Sequence, residues 1–554
     1  MISFEKPIEA DVLIAGGGIG GLMAAINAAD HGVRVVIAEK ANTERSGSGA
    51  TGNDHFLCYI PEVCGEFGPF LEECFGTLVG RFQDRSLMEL HLKESYDRVK
   101  DWERWGIQMK IDGKYEFVGH ALPGRPRTHL KYAGANQKKV LTREAKKRGV
   151  IIMNKMPITD VITKSGEIIG AIGINIQEKE PKVQVFRAKS VILATGATTR
   201  LYPTQSPGMM FNTAFCPSST GTGRAAAYRA GAKLINMELP YTHAGPKYFS
   251  RCGKATWIGV LRDPYGKPVG PFVSEPDKLH GDATADIWNT CFTDMHKSGR
   301  GPVYMSCQGI SPEDYEYMMW ALVQEGNTAM LDYMAKEGID VRKHMVEFNR
   351  YEPTLAGRGI EIDEKAETNI KGLYAVGDEV GNFCAFIAGA ATFGWIAGKN
   401  AAERAKAVTS FDKAEESQVV KDRMHLYSEI MGRGQGPNWK EANLAVQQIM
   451  NDYAGIEVRS ETLLNAGLKY LRDLKKKVYQ DLSAEDSHSL MRCLEALDLI
   501  EVGETIFLTA LERKETRGMH RRSDYPFTNP LMDDKFITIR QEGGKPVIEW
   551  RDRK

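Results

Sequence analysis

The apolar run Asp11-Val12-Leu13-Ile14-Ala15 leads without a break into Gly16-Gly17-Gly18-Ile19-Gly20-Gly21, and a second apolar run, Val33 to Ala38, ends on Glu39. Strand, glycine turn, helix and a second strand closed by an acid make up a dinucleotide-binding βαβ unit. Gly16 permits the tight turn and Gly18 lets the backbone approach a pyrophosphate. Gly21 lets the helix pack close to the strand, and that helix's N-terminus offers unpaired N–H groups to phosphates. Glu39 follows Gly16 by 23 residues, near the roughly 20-residue spacing at which a carboxylate receives hydrogen bonds from ribose hydroxyls. An acid there favours an unphosphorylated ribose. The expected fold class is α/β.

A chain of 554 residues is too long for one core, so several domains are expected. Lys plus Arg equals Asp plus Glu, 72 against 72, which removes any global electrostatic case for nucleic acid or an anionic membrane. The N-terminal residues lack the apolar core of a signal peptide. No apolar run approaches the about 18 residues of a membrane-spanning helix. The expected location is cytoplasmic. The 9 cysteines are scattered without a Cys-x-x-Cys pair, so neither a metal site nor a cluster held by this chain is expected.

Beyond the first unit, Arg45 to His55 is a loop of small residues that can run along a large planar ligand. Residues 85–110 have a helical pattern, and Ile151–Met153, Ile158–Ile162 and Ile168–Ile176 alternate like short strands. Ala188–Leu193 is a buried strand ending in Ala194-Thr195-Gly196, followed by a helix from Arg224 to Ala232. A comparable strand, Gly372 to Asp378, recurs downstream with a helix from Gly394 to Lys406. Two such strands so far apart imply an insertion. The expected division is 1–235 with 351–410 as the nucleotide-binding domain, 236–350 as an inserted α+β cap, 411–525 as a helical domain, and 526–554 as a tail with a β-hairpin around Gly543-Gly544.

Four segments in fixed order, Gly16–Gly21 with Glu39, Ala194–Gly196, Leu373–Asp378 and Arg513–His520, resemble the flavoprotein subunits of the succinate dehydrogenase and fumarate reductase superfamily. Within it the chain is most similar to the adenylylsulfate reductase α-subunit branch, through Glu44–Gly47, Phe186–Lys189 and Arg522–Pro526. The resemblance covers nearly the whole chain and implies a Rossmann-type, glutathione-reductase-like FAD domain. FAD would then rest its ribose on Glu39, with Lys40 beside it, and its pyrophosphate on Gly16, Gly18 and Gly21. Its ring system would lie along Ser46, Gly47, Thr51, Gly52 and Asn53, near Ala194, Thr195, Gly196 and Asp378. Relatives that tether FAD covalently use a histidine where this chain has Gly47, so FAD is expected to be non-covalent.

The same resemblance points to two residues for catalysis, Arg300 and His243, and a departure from the family adds a third, Arg358. Arg300, in Ser298–Tyr304, matches the segment carrying the proton-donating arginine of fumarate reductases, although an ordinary surface arginine fits it equally. His243, in Met237–His243, matches a carboxylate-binding histidine. Arg358 is an added cation beside the expected flavin edge. Two family parts are missing: Thr354 stands where a second substrate histidine belongs, and the apolar stretch 381–392 replaces the segment that clamps a second carboxylate. A dicarboxylate would bury an unpaired charge there, at a cost of several kcal/mol. The expectation is therefore an FAD-dependent oxidoreductase that reduces or forms a C=C bond in an acid or thioester with an apolar remainder. Electrons would be exchanged with an iron–sulfur subunit. Two alternatives stay open: an α-subunit of the adenylylsulfate reductase type, or an electron-transfer flavin protein without a small-molecule substrate.

Overall fold

A computed structural model of the protein describes residues 2–75, 82–118, 126–204, 209–249, 256–269, 273, 275–278 and 290–554. Of the cysteines, Cys252 lies outside this set. The eight within it are free thiols, and burial pushes several of them, Cys307 and Cys384 included, up to about 12.

The centre of the fold is an eight-stranded sheet. Val35–Glu39 pairs parallel to Ile8–Ala15, which pairs parallel to the long strand Lys182–Leu193. Leu373–Ala375 joins that same strand, so Val191 has Leu13 on one side and Leu373 on the other. Ile8–Ala15, Lys182–Leu193 and Leu373–Ala375 therefore end at one edge, where ligands of parallel α/β sheets bind. The far side of the sheet is finished by the antiparallel strands Glu167–Asn175 and Ile158–Lys164.

Ile19–Asp30 packs on this sheet beside Phe386–Ala407. The two helices nearly touch backbone to backbone: a Cβ added at Gly394 would lie 2.4 Å from the Gly20 carbonyl oxygen, and one at Gly398 would lie 2.3 Å from that of Ala24. The second helix begins at Phe386, eight residues before the expected start at Gly394. Its first two turns carry Phe386, Ile387, Gly389, Thr392 and Phe393, all weaker helix formers than alanine. Burial of Ala388 to Gly394 against neighbours makes them helical instead, tertiary packing overriding a weak local preference.

Residues 244–350 carry a separate four-stranded antiparallel sheet in the order Ala244–Pro246, Val346–Arg350, Val303–Ser306, Val260–Arg262. Its own core contains Trp257, Met305, Met318 and Phe348. The chain enters and leaves this cap on two paired segments: Tyr241 and Thr354 exchange both backbone hydrogen bonds at 2.8 Å, and the Tyr351 amide donates to the His243 carbonyl at 2.8 Å.

Three long helices follow, Trp439–Ala454, Glu461–Asp481 and Ser487–Glu512, each opened by a side-chain cap from Asn438, Ser460 and Asp486 respectively. They are tied to the sheet by Arg229, which bonds Asp160 at 2.8 Å, Asp498 at 2.9 Å and Glu501 at 2.5 Å. The closing hairpin, Lys535–Glu542 with Lys545–Asp552, is not free-standing. Its first strand also pairs with Leu234–Ile235, and through that strand joins Gly359–Ile360.

Glu352, on the exit segment from the cap, accepts the Ala214 amide at 2.8 Å through Oε1, while its buried Oε2 has no hydrogen-bond partner. Burial raises its carboxyl from the ordinary carboxylate range to about 7. The folded state keeps this proton up to about pH 7 while the unfolded chain loses it near 4.5. The contribution is therefore full below pH 4.5 and is lost as pH rises through 7. Glu352→Gln should flatten this slope and stabilise the protein at pH 8 by on the order of 3 kcal/mol. Thermal midpoints of both proteins from pH 5 to 8 check it, and parallel curves would refute it.

Candidate functional site

At the sheet edge, Gly16 takes φ +105°, a left-handed conformation that a side chain would strain. A Cβ there would also lie 2.4 Å from the Ala194 carbonyl oxygen. The turn is held by Glu39, whose two carboxylate oxygens accept the Gly17 amide at 2.6 Å and the Ala41 amide at 2.7 Å. A carboxylate offers about four lone-pair positions, so Glu39 keeps acceptor capacity for a ribose. The first helix starts at Gly18 with no side-chain cap, leaving its N–H groups to the cavity. Beneath the turn, Lys138 donates to the Gly17 carbonyl, and burial pulls its ammonium down to about 8. Lys138 has no motif around it, and sequence reasoning missed it.

Twelve of the fourteen expected cofactor residues line one cavity of about 920 Å³: Gly16, Gly18, Glu39, Lys40, Ser46, Gly47, Gly52, Asn53, Ala194, Thr195, Gly196 and Asp378. Gly21 sits behind the turn, where a Cβ would lie 2.0 Å from the Gly16 carbonyl oxygen, and Thr51 packs against Gly326 of the cap. Lys40 lines the cavity, but its ammonium is committed elsewhere, to the Ser218 carbonyl at 2.7 Å and Glu495 at 2.8 Å. Arg200 and Arg492 converge on the same carboxylate and, with Lys40, hold Glu495 far below its usual range despite its burial. The Lys40 ammonium is thus engaged within the fold, and the rest of the residue faces the nucleotide end of the cavity.

Around the middle of the cavity, burial pushes the Asp378 carboxyl up to about 6. Thr195 gives both its amide and its hydroxyl to Glu379 at 2.7 Å. Arg224 is fully buried and donates to four carbonyls: Gly196 at 2.7 Å, Arg358 at 2.7 Å, Leu355 at 2.9 Å and Asp378 at 2.5 Å. It fixes three loops that bear cavity residues and was not foreseen, although it opens the helix after Thr220-Gly221-Thr222-Gly223. The donor set fits a flavin dinucleotide on two counts: the uncapped helix start, and the buried hydroxyl of Ser46 that has no partner.

At the far end the walls turn apolar and aromatic, with Phe82, Phe215, Tyr241, Phe386 and Met519. His243 is buried there. Its ring stacks on Phe215 at 5.2 Å, and its Nδ1 lies 3.2 Å from the Tyr241 hydroxyl. Arg358, which could have been a surface residue, is only 4% exposed. It donates to Leu239 O at 2.8 Å and Gly357 O at 2.6 Å and stands 5.2 Å from the Phe82 ring centre. Among the described residues Arg358 makes no ion pair, and its Nη2 has no hydrogen-bond partner. Burial lowers its pKa from the ordinary arginine value. Arg300 lies elsewhere: it is exposed, its Nη2 reaches Met295 Sδ at 3.3 Å, and it does not line the cavity. A local motif match does not fix where a cap segment folds, and here it turns to solvent.

Two histidines not singled out in the sequence do line the cavity, His55 and His129. Asp54, His55 and Glu325 form one group among the described residues whose ligand-type atoms lie within 4.8 Å of one another. Its atoms already bond each other, with His55 Nδ1 2.5 Å from Asp54 Oδ1.

Residues 11–392 match the family model described as FAD binding domain, and residues 443–553 match that of the fumarate reductase flavoprotein C-term. The chain belongs to the succinate dehydrogenase and fumarate reductase flavoprotein superfamily. It is similar to a fumarate reductase (CoM/CoB) chain of Methanothermobacter marburgensis, 26% identical over 96% of this chain and 97% of the relative. It is also similar to L-aspartate oxidase of Yersinia pestis, 25% identical over 93% and 96% of the two chains. Among solved structures, adenylylsulfate reductase from Archaeoglobus fulgidus superposes with a TM-score of 0.84 over 100% of this chain and 96% of that one, at 23% identity. This protein is thus an FAD-dependent oxidoreductase of that superfamily, and no helix among the described residues is long and apolar enough to cross a membrane.

Glu39→Ala removes the acceptor of two turn amides and of the expected ribose contact. Loss of hydrogen bonds to a charged group, each about 1.5–3 kcal/mol, should weaken FAD binding at least tenfold while the helical content persists. Flavin titration of the stripped protein would measure this, and unchanged affinity would refute it.

Proposed function

We propose that the protein reduces or forms a carbon–carbon double bond in a substrate with one acid or thioester group and an apolar remainder. The observation that carries this reading is Arg358: a buried guanidinium with an unused Nη2, set in a cavity end whose walls are largely aromatic and apolar. A single carboxylate or thioester carbonyl would answer that donor, and the apolar tail would bury against Phe82, Phe215 and Phe386. His243 would hold the same acid group from the other wall. A second carboxylate, as in fumarate, would meet Cys384, Ala385 and Phe386 and lose more in desolvation than it gains.

FAD, held along Glu39, the Gly16–Gly18 turn, Ser46–Asn53 and Asp378, supplies hydride chemistry when bound. The chain's own part is to orient the unsaturated bond, exclude water and move one proton. We assign FAD to the non-covalent class, since Gly47 offers no nucleophile. Electrons would come from or go to an iron–sulfur partner, in keeping with relatives named as subunits.

The test is anaerobic flavin photometry. Reduced protein should be reoxidised by an apolar enoic acid or its thioester, and slowly or not at all by fumarate. Arg358→Met should weaken the enoate by about 10–100-fold, the worth of a lost charge-assisted hydrogen bond. A sulfite-dependent spectral change strengthened by adenosine monophosphate would overturn the reading in favour of adenylylsulfate reductase chemistry. Silence towards all small molecules, with rapid reoxidation by a co-purified partner, would overturn it in favour of electron relay. Acid precipitation should leave the flavin in the supernatant, and flavin retained on the pellet would refute the non-covalent assignment.

A further inference from the structure

We infer that His55, held by Asp54, is the side chain that passes the proton in the carbon–carbon chemistry proposed above. The inference rests on that reading and supplies the proton carrier that Arg300, exposed and away from the cavity, does not.

The argument starts from the alternation of a short strand. His55–Leu57 pairs antiparallel with His129–Lys131 in the register His55↔Lys131, Phe56↔Leu130, Leu57↔His129. Side chains on one face of such a pair are His55, Leu57, His129 and Lys131. Phe56 and Leu130 point the other way and are fully buried, Phe56 at 5.2 Å from Trp102. That packing forces His55, Leu57 and His129 towards the cavity, which all three line. The two histidine rings meet edge to face with centres 5.3 Å apart.

Behind His55 stands Asp54, fully buried, its Oδ1 2.5 Å from His55 Nδ1. A carboxylate bonded to Nδ1 fixes ring orientation and tautomer and supports the imidazolium, so that exchange with substrate runs through Nε2. The other oxygen of Asp54 receives the Thr256 hydroxyl at 2.9 Å and the Tyr317 hydroxyl at 3.4 Å. Both belong to the cap, and Glu325 anchors the Thr256 amide at 2.8 Å. Burial acts to raise the Asp54 pKa, but His55 and Thr256 outweigh it and keep the carboxylate ionised. The residues that seat the cap on the FAD domain are therefore the ones that aim His55.

In the reductive direction, FAD held along Glu39, the Gly16–Gly18 turn and Ser46–Asn53 would supply a hydride, and with it two electrons, to one alkene carbon. The adjacent carbon gains its C–H bond as the His55 Nε2–H bond breaks, and the imidazolium becomes neutral imidazole. Solvent then returns the proton. His55 is the catalytic residue in this scheme and Asp54 a positioning residue.

The experiment uses the FAD-loaded full chain, reduced anaerobically, with reoxidation followed by an apolar enoate and, separately, by ferricyanide, which takes electrons without needing a proton on carbon. For His55→Gln, the enoate rate should fall by about 100-fold or more while the ferricyanide rate stays within threefold. Asp54→Asn should lower kcat by about tenfold or more with little change in KM, and Asp54→Glu should recover part of the loss. A His55→Gln protein that reoxidises with enoate within threefold of the wild type, or that loses both routes equally, overturns the role of His55 and leaves the proposed function standing. A wild-type protein inert to every enoate and thioester overturns the proposed function, and this assignment with it.

Discussion

One buried guanidinium organises the heart of this molecule. Arg224 gathers carbonyls from the loops after Leu193, around Leu355–Arg358 and at Asp378, segments that belong to different strands and lie far apart in sequence. A charge removed from water tolerates burial only when its donors are met. These loops therefore cannot wander independently without abandoning it. Burial pulls Arg224 down to about 10, so it remains a cation under ordinary conditions and the clamp stays closed. The loops it holds carry Gly196, Arg358 and Asp378, which makes the shape of the cavity a by-product of satisfying one arginine.

Polarity is graded along that cavity. At the nucleotide end the buried charges are held in place: Glu39 takes two amides, Lys138 donates to a carbonyl, and Glu495 meets three cations. At the aromatic end, Arg358 keeps an unused donor within a wall of rings. That donor faces the cavity, where the acceptor of a ligand could take the place of water. The gradient separates an end lined by backbone groups and paired charges from one lined by rings and a single guanidinium with a donor to spare.

Much of the nucleotide end was legible in the chain because it is written locally. Gly16, Gly18 and Glu39 fall within one βαβ unit, and the strand at Val191 announces itself by its apolar run. The hairpin around Gly543-Gly544 is equally local. The substrate end was less legible because it is assembled from distant pieces. Arg300 matched a motif by register, yet the fold turns it to solvent. Lys40 sits beside Glu39 in sequence but spends its charge on Glu495, on a helix hundreds of residues away. His55 was hidden in a three-residue strand too short to show alternation, and its partner Asp54 gains meaning only when Thr256 and Tyr317 fold over it. Arg358 was noticed as a cation, but its burial came only from the packing of Leu239, Gly357 and Phe82.

The paired segments at the neck of the cap have a mechanical corollary. His243 contributes its ring to the cavity wall and its carbonyl to the Tyr351 amide that staples entry to exit. The wall of the cavity and the neck of the cap thus share one residue. Neck and cavity wall therefore cannot be altered independently at this position, because the stapling carbonyl and the lining ring belong to the same residue.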